Sequence, residues 1–87
     1  MSKYTTVPAI TPNQLIKLLC LGEWVEHRRS KDGVCIKRKI GKHWQVAFIP
    51  IHDAVLDSGT LHAILGTKQT GIGRKGLLDL LNKYGLP

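Results

Sequence analysis

Residues 24–50 constrain the fold of this 87-residue chain more than any other segment. Apolar and polar side chains alternate along this segment, and two turn signals divide it into three parts. The Asp32-Gly33 pair tolerates the positive φ that a hairpin turn needs, and Gly41 begins a second turn. Alternation of this kind is typical of half-buried strands. The segment therefore predicts an antiparallel meander of three strands, over residues 24–29, over residues 34–40 and from residue 44 until Pro50 ends the ladder.

The segment before the meander carries the signals of a helix over residues 12–21. Thr11 is a suitable N-cap, Pro12 suits the first helical position, and Gln14 completes a capping box. Leucines follow at helical spacing. Gly22 is expected to end this helix in a left-handed conformation, as glycines after helices commonly do.

Two more helices are predicted after the meander. Ser58 is expected to cap a helix that runs to Leu65. Leucines at helical spacing predict a last helix over residues 74–83, which Gly85 closes. Between them, Gly71 to Gly76 match the spacing GxGxxG, but no strand precedes them, so we interpret this stretch as a hinge rather than a nucleotide site.

These elements predict an α+β fold with the order α-β-β-β-α, a three-stranded antiparallel sheet and an additional C-terminal helix. A chain of this length has room for one hydrophobic core. We therefore expect a single domain over residues 10–85, preceded by a flexible N-terminal arm over residues 1–9.

The predicted loop between the second and third strands has three residues, Gly41 to His43. This loop would set Ile36, Arg38 and Ile40, an otherwise apolar series that Arg38 interrupts, opposite the apolar series Trp44, Val46 and Phe48. The helices would then cover these side chains, with Arg38 near a sheet edge or reaching outward. The opposite face would display Cys35, Lys37, Lys39 and Gln45. Trp24, Trp44 and Cys20 are expected in the core.

The positive charge is concentrated in the same segment. The chain has 13 lysines and arginines against 6 aspartates and glutamates, a formal net charge of +7. Between His27 and His43 lie seven of these cations and one carboxylate, so this stretch alone carries +6. Such a segment attracts a polyanion, and charge alone leaves RNA and an acidic protein both open.

Several classes of protein are disfavoured by what the sequence contains. Its apolar runs are shorter than the ~18 residues of a membrane span, and its first residues do not resemble a signal peptide, so we expect a cytoplasmic protein without a membrane partner. Cys20 and Cys35 lack a CxxC spacing and are expected to be reduced thiols. The histidines lack metal-ligand spacing, so we expect neither a metal nor a cofactor.

The order of short motifs resembles the HicA-type toxins of toxin–antitoxin systems. The resemblance runs over about residues 9–83 and is carried by residues 10–19 with Gly22-Glu23-Trp24, by Phe48-Ile49-Pro50-Ile51-His52, by residues 58–65 and by residues 69–72. It implies a double-stranded-RNA-binding-like fold. It also implies a metal-independent ribonuclease that cleaves mRNA and is held inactive by a HicB-type antitoxin.

In the family that the chain resembles, a histidine in a Gly-Ser-His motif opens the second strand and is catalytic. The matching residues here are Gly33-Val34-Cys35, so Cys35 marks the catalytic position. Cys35 and His43 are the candidate catalytic residues. Histidine suits proton transfer because it titrates near neutrality, whereas a thiol has an unperturbed pKa of about 8.5 that only a cationic neighbourhood would lower.

The candidate phosphate-binding residues are the cations of the basic segment: Arg28, Arg29, Lys31, Lys37, Lys39 and Lys42. Three alternatives stay open for the chemistry. Cleavage depends on Cys35, or on a relocated histidine such as His27, His43 or His52, or the chain has kept RNA binding and lost cleavage. In the last case it is a binding module for nucleic acid or for an acidic protein.

Overall fold

A computed structural model of the chain describes residues 4–52 and 54–87. It confirms an α+β fold with an open three-stranded antiparallel sheet, in the order β1-β2-β3. The elements are α1 (Pro12–Leu21), β1 (Val25–Arg29), β2 (Gly33–Ile40), β3 (His43–Pro50), α2 (Ser58–Leu65) and α3 (Gly73–Tyr84). Within these described ranges, no helix is long and apolar enough to cross a membrane.

Helix α1 begins as its capping box predicts. The Thr11 side chain accepts from the Gln14 backbone N–H, and the Gln14 side chain accepts from the Thr11 backbone N–H at 2.9 Å. The left-handed end predicted at Gly22 is wrong, since its φ is −88°. The Gly22 N–H still donates to the carbonyl of Leu19, so the last turn is closed without a positive φ.

Asp57, rather than the predicted Ser58, is the N-cap of α2. Its carboxylate accepts from the Thr60 backbone N–H at 2.6 Å and from the Thr60 hydroxyl at 3.1 Å. These hydrogen bonds favour the charged form and lower the pKa of Asp57.

Helix α3 extends one residue beyond the prediction on each side, and Gly85 ends it with a φ of +82°.

All three helices contribute to one core, which covers one face of the sheet. We call this the inner face, and its buried strand residues are Val34, Ile36, Ala47 and Ile49. Leucines of α1 and α3 belong to the same core, as does Trp24, whose predicted core position is confirmed at 2% exposure. The opposite, outer face lies away from the helices.

The predicted pairing of β2 with β3 is wrong by one residue. Ile40 pairs with His43, so the turn contains only Gly41 and Lys42. Gly41 has a φ of +59°, as the first central residue of a type II′ turn requires. Because side chains alternate along a strand, this slip moves every β3 side chain to the other face. Trp44, predicted to be buried, is therefore exposed on the outer face.

Arg38 lies on the central strand and on the inner side of the sheet, neither at an edge nor pointing outward. Its guanidinium donates to Gln45 at 2.9 Å, to the Thr70 carbonyl at 3.2 Å and to Glu23 at 3.3 Å. It also lies over the Trp24 ring, 4.9 Å from the centroid. Its polar atoms are thus satisfied although the side chain is only 19% exposed.

Two predictions concern segments at the margin of the core. Cys20 is exposed rather than buried, which corrects its predicted core position. Partial desolvation of the thiol, with the Glu26 carboxylate acting in the same direction, raises the pKa of Cys20. Of the predicted arm, residues 1–3 lie outside the described residues, whereas Tyr4 exchanges two backbone hydrogen bonds with the Asn82 side chain.

Candidate nucleic-acid interface

The outer face of the sheet combines cations, aromatic rings and aliphatic side chains. Besides Pro50 at the end of β3, strand alternation and the cross-strand pairs assign eight side chains to it, none of them acidic. Three are cations and four are large and apolar. The eight are Val25, Arg28, Cys35, Lys37, Lys39, Trp44, Val46 and Phe48.

The apolar side chains of β3 are exposed on this face rather than packed. Trp44 is 54% exposed, Val46 51% and Phe48 39%. Neighbouring exposed apolar side chains on one surface are typical of an interaction site, because leaving them in water is unfavourable. Val25 extends the same surface on β1, where it is also exposed.

Two lysines of β2 contact the Trp44 indole. The Lys37 ammonium lies 4.5 Å from the centroid of the ring, and that of Lys39 lies 5.8 Å away. Both distances are within the range of a cation–π contact. The contacts hold positive charge directly beside an exposed aromatic surface, a combination used by proteins that bind single-stranded nucleic acids.

Gly33 positions the second ring of the outer face. A Cβ on Gly33 would lie 2.6 Å from the Ile49 carbonyl oxygen and would also collide with the edge of the Phe48 ring. The ring therefore lies against the glycine backbone, in the space that any other residue would fill. The glycine that opens β2 thus fixes where Phe48 is presented.

The loop between α2 and α3 holds the free edge of β3. The Phe48 N–H donates to the Gln69 side chain at 3.0 Å, and the Gln45 amide donates to the carbonyls of Gln69 at 2.6 Å and Thr70 at 3.0 Å. Thr70 is fully buried and donates its hydroxyl to the Ile64 carbonyl at 2.8 Å. These contacts fix β3, and with it the outer face, relative to the core.

The two candidate catalytic residues are not brought together. Cys35 lies in the middle of the outer face, partly exposed, between Arg28 on β1 and Phe48 on β3. His43 is the first residue of β3 and is exposed on the inner side of the sheet. It is five residues from Phe48 along the strand, or about 17 Å at 3.3 Å per residue.

The predicted phosphate-binding cations divide into three groups. Arg28, Lys37 and Lys39 share the outer face. Lys31 and Lys42 are exposed in the two hairpin turns, at opposite ends of the sheet.

Arg29, by contrast, lies on the inner side of β1. Its guanidinium pairs there with the carboxylate of Glu26 at 2.6 Å. Its charge is therefore partly offset and faces away from the outer surface. Arg29 is the member of the predicted set that the structure separates from the others.

Two further histidines were candidates for a relocated catalytic residue. His27 is the extra residue of a β-bulge in β1, next to Arg28, which pairs with Cys35. Bulges re-aim side chains and are over-represented beside active sites. His52 follows β3 and accepts from the Ala54 N–H at 3.3 Å, so its ring is engaged in a local turn.

No cluster of three or more histidine, cysteine, aspartate or glutamate side chains suited to a metal ion occurs among residues 4–52 and 54–87. An open groove of about 420 Å³ lies away from the sheet, between the segment Val7 to Ala9 and α2. Its polar side chains, Ser58, His62 and Arg74, are all exposed. The outer face therefore remains the surface with the most distinctive chemistry.

Sequence reasoning missed the aromatic part of this site. The signal was present in Gly41-Lys42, since a glycine at the first central position suits a two-residue hairpin turn. That turn fixes the pairing and places Trp44 beside the lysines. The second apolar series of β3, Ala47 and Ile49, then faces the core.

Comparison of the chain with models of protein families, with curated proteins and with solved structures finds no match. The functional assignment therefore depends on the chemistry of the outer face.

Proposed function

We propose that the chain is an RNA-binding protein of the HicA-like toxin type, and that it binds RNA on the outer face of its sheet. One observation carries the proposal: three cations and two exposed aromatic rings share a sheet face on which none of the described strand side chains is a carboxylate. Arg28, Lys37 and Lys39 supply the charge, and Trp44 and Phe48 supply the rings. Phosphates and bases are the two chemical parts of RNA, and this surface offers a partner for each.

The arrangement of the elements supports the proposal. The order α-β-β-β-α with the helices on one sheet face is what a double-stranded-RNA-binding-like fold requires, and α3 is the additional helix. Because the helices and core occupy the inner face, the outer face is available to a partner. A cytoplasmic location, where mRNA is found, is part of the same proposal.

Cleavage would depend on Cys35 together with His27. Cys35 occupies the position of the catalytic histidine in the family that the chain resembles. Arg28 is the cross-strand partner of Cys35, and His27 is next to Arg28 along β1. Imidazole is the side chain used most often as a general base, and it is suited to remove the proton of a ribose 2′-hydroxyl. A chain that binds RNA but leaves it intact is the second candidate, favoured by the distance between Cys35 and His43.

The proposed antitoxin partner would cover the same surface. Trp44, Val46 and Phe48 are exposed and neighbouring, and a protein that buried them would also block access of RNA to Lys37 and Lys39. An acidic HicB-like protein would satisfy both the apolar and the charged side chains.

Charge reversal on the basic hairpin tests the proposal. Replacing Lys37, Lys39 and Lys42 by glutamate should abolish retention of the protein on immobilised RNA at low salt, because each lost phosphate contact removes counterion release. The matched control replaces Lys17, Lys68 and Lys75, which are exposed elsewhere, by glutamate and should retain binding. Equal retention by both triple variants would contradict the proposal.

The same samples report on cleavage when the RNA is recovered and its length is measured. RNA that is shortened by the unchanged chain but left intact by Cys35→Ala or His27→Ala would support the catalytic assignment. RNA that remains intact with the unchanged chain would support the binding module instead.

A further inference from the structure

We infer that Trp44 and Phe48 are two base-stacking positions, so that the outer face takes unpaired nucleotides and not a duplex. The inference rests on the proposed function and specifies its ligand. It starts from the fact that both rings belong to one strand and to the same face of the sheet. Val46 lies between them, also exposed.

The spacing of the two rings suits a strand of nucleotides that runs along β3. Trp44 and Phe48 are four residues apart, which corresponds to about 13 Å at 3.3 Å per residue. Two bases that stack at this separation belong to an extended strand, because neighbouring stacked bases lie about 3.4 Å apart. The intervening nucleotide would pass over Val46.

The lysines beside Trp44 give the first position a charged rim. In the free chain the Lys37 ammonium lies over the indole at 4.5 Å and that of Lys39 at 5.8 Å. A base that stacks on the ring takes the place of an ammonium group. The released lysine is then beside the phosphate of the same nucleotide, so one binding event uses both chemistries.

The second position is built differently. One edge of the Phe48 ring lies against Gly33, whereas 39% of the residue is exposed. Its neighbour across the strands is Cys35, and Arg28 follows on β1. The ring is therefore held in place from one side and open from the other, with a guanidinium available for a second phosphate.

A duplex cannot use these rings. Its bases are stacked on each other and paired, so an A-form helix presents phosphates and 2′-hydroxyl groups and keeps its base faces hidden. Arg28, Lys37 and Lys39 would contact such a helix, but the two rings would have no partner. An acidic protein also lacks flat π surfaces of this kind in regular succession, so the rings favour unpaired RNA.

Titrations with three probes test the inference: a 12-nucleotide oligouridine, an RNA duplex of the same length and inorganic polyphosphate. Trp44→Ala and Phe48→Ala should each weaken oligouridine binding by roughly 5- to 150-fold, the measured range for loss of one stacked base. Polyphosphate binding should be unchanged, because it has no bases. The matched control is Val55→Ala, an equally exposed valine that lies outside the sheet, and it should change oligouridine binding by less than about 2-fold.

Trp44→Phe keeps a ring and should retain most of the affinity, which guards against a misfolded alanine variant. Oligouridine should also bind more tightly than the duplex. Unchanged affinity of both alanine variants, with binding still lost on replacing Lys37, Lys39 and Lys42 by glutamate, would overturn the stacking positions and leave RNA binding in place. Failure of the unchanged chain to bind oligouridine and duplex alike would overturn the proposed function itself.

Discussion

Gly33 illustrates how one residue without a side chain shapes the proposed RNA-binding surface. The sequence predicts it as part of a hairpin turn, whereas in the structure it opens β2 and supports the Phe48 ring. Glycine is needed at position 33 because the Phe48 ring on β3 fills the space of a side chain there. A local sequence pattern around Gly33 does not predict this contact.

Replacing Gly33 by alanine should destabilise the chain by about 1–3 kcal/mol, the usual cost of overpacking. The new Cβ would lie 2.6 Å from the Ile49 carbonyl oxygen, and backbone that is hydrogen-bonded between β2 and β3 cannot move away easily. Urea denaturation measures the change. The control is Gly59→Ala. The atom nearest to its new Cβ would be the Asp57 Oδ1 at 3.5 Å, an ordinary contact, and alanine has a higher helix propensity than glycine. Equal stability of Gly33→Ala and the unchanged chain would contradict this account of Phe48.

Residue-level prediction succeeded within one strand and failed across a turn. Alternation along β2 correctly assigned Cys35, Lys37 and Lys39 to the face opposite the core. The corresponding assignment of Trp44 and Gln45 on β3 was wrong, because it required the length of the preceding turn. A difference of one residue in that turn exchanges the two faces of a strand.

At the scale of elements, the helices were predicted closely because their ends are determined locally. The capping box of α1 involves residues three positions apart, and the predicted range matches the observed one. The cap of α2 was misassigned by one residue, from Asp57 to Ser58, since both side chains are suitable acceptors. The contacts of the α2–α3 loop with β3 join residues distant in sequence, and no local pattern predicts them.

The Asp57 cap makes α2 sensitive to acid. The pKa of Asp57 is lowered in the folded chain by its hydrogen bonds with Thr60, so the unfolded chain binds the proton more readily. The cap therefore contributes stability above about pH 4, the ordinary range of the group, and loses it as the pH falls through the lowered pKa. Asp57→Asn keeps an acceptor for the Thr60 N–H but does not titrate.

Thermal unfolding of the two chains should show this difference. The unchanged chain is expected to be the more stable at neutral pH, because a charged acceptor at a helix N-terminus is favoured. Its advantage over Asp57→Asn should shrink below about pH 4. All other titrating groups are common to both chains, so they cancel in the comparison. A constant difference between the two melting temperatures from pH 7 to pH 2 would contradict the assignment.

At the scale of the whole molecule, the core and the proposed RNA-binding surface lie on opposite sides of one sheet. The inner face, the helices and the Arg38 network supply the core, whereas the outer face contains three large hydrophobic side chains of β3 that the fold leaves exposed. The concentration of charge in residues 27–43 was visible in the sequence. The structure adds the aromatic rings beside that charge. The central claim is therefore that one side of the sheet binds RNA.

The two tryptophans provide the most direct measurement of this claim, because Trp44 is exposed on the outer face and Trp24 is buried on the other side of the sheet. Their indole N–H signals can be followed separately by NMR while ¹⁵N-labelled protein is titrated with the 12-nucleotide oligouridine. We expect the Trp44 signal to shift together with the backbone amides of Lys37 and Phe48, and the Trp24 signal to stay in place. A stationary Trp44 signal, with shifts confined to the helices, would contradict the account.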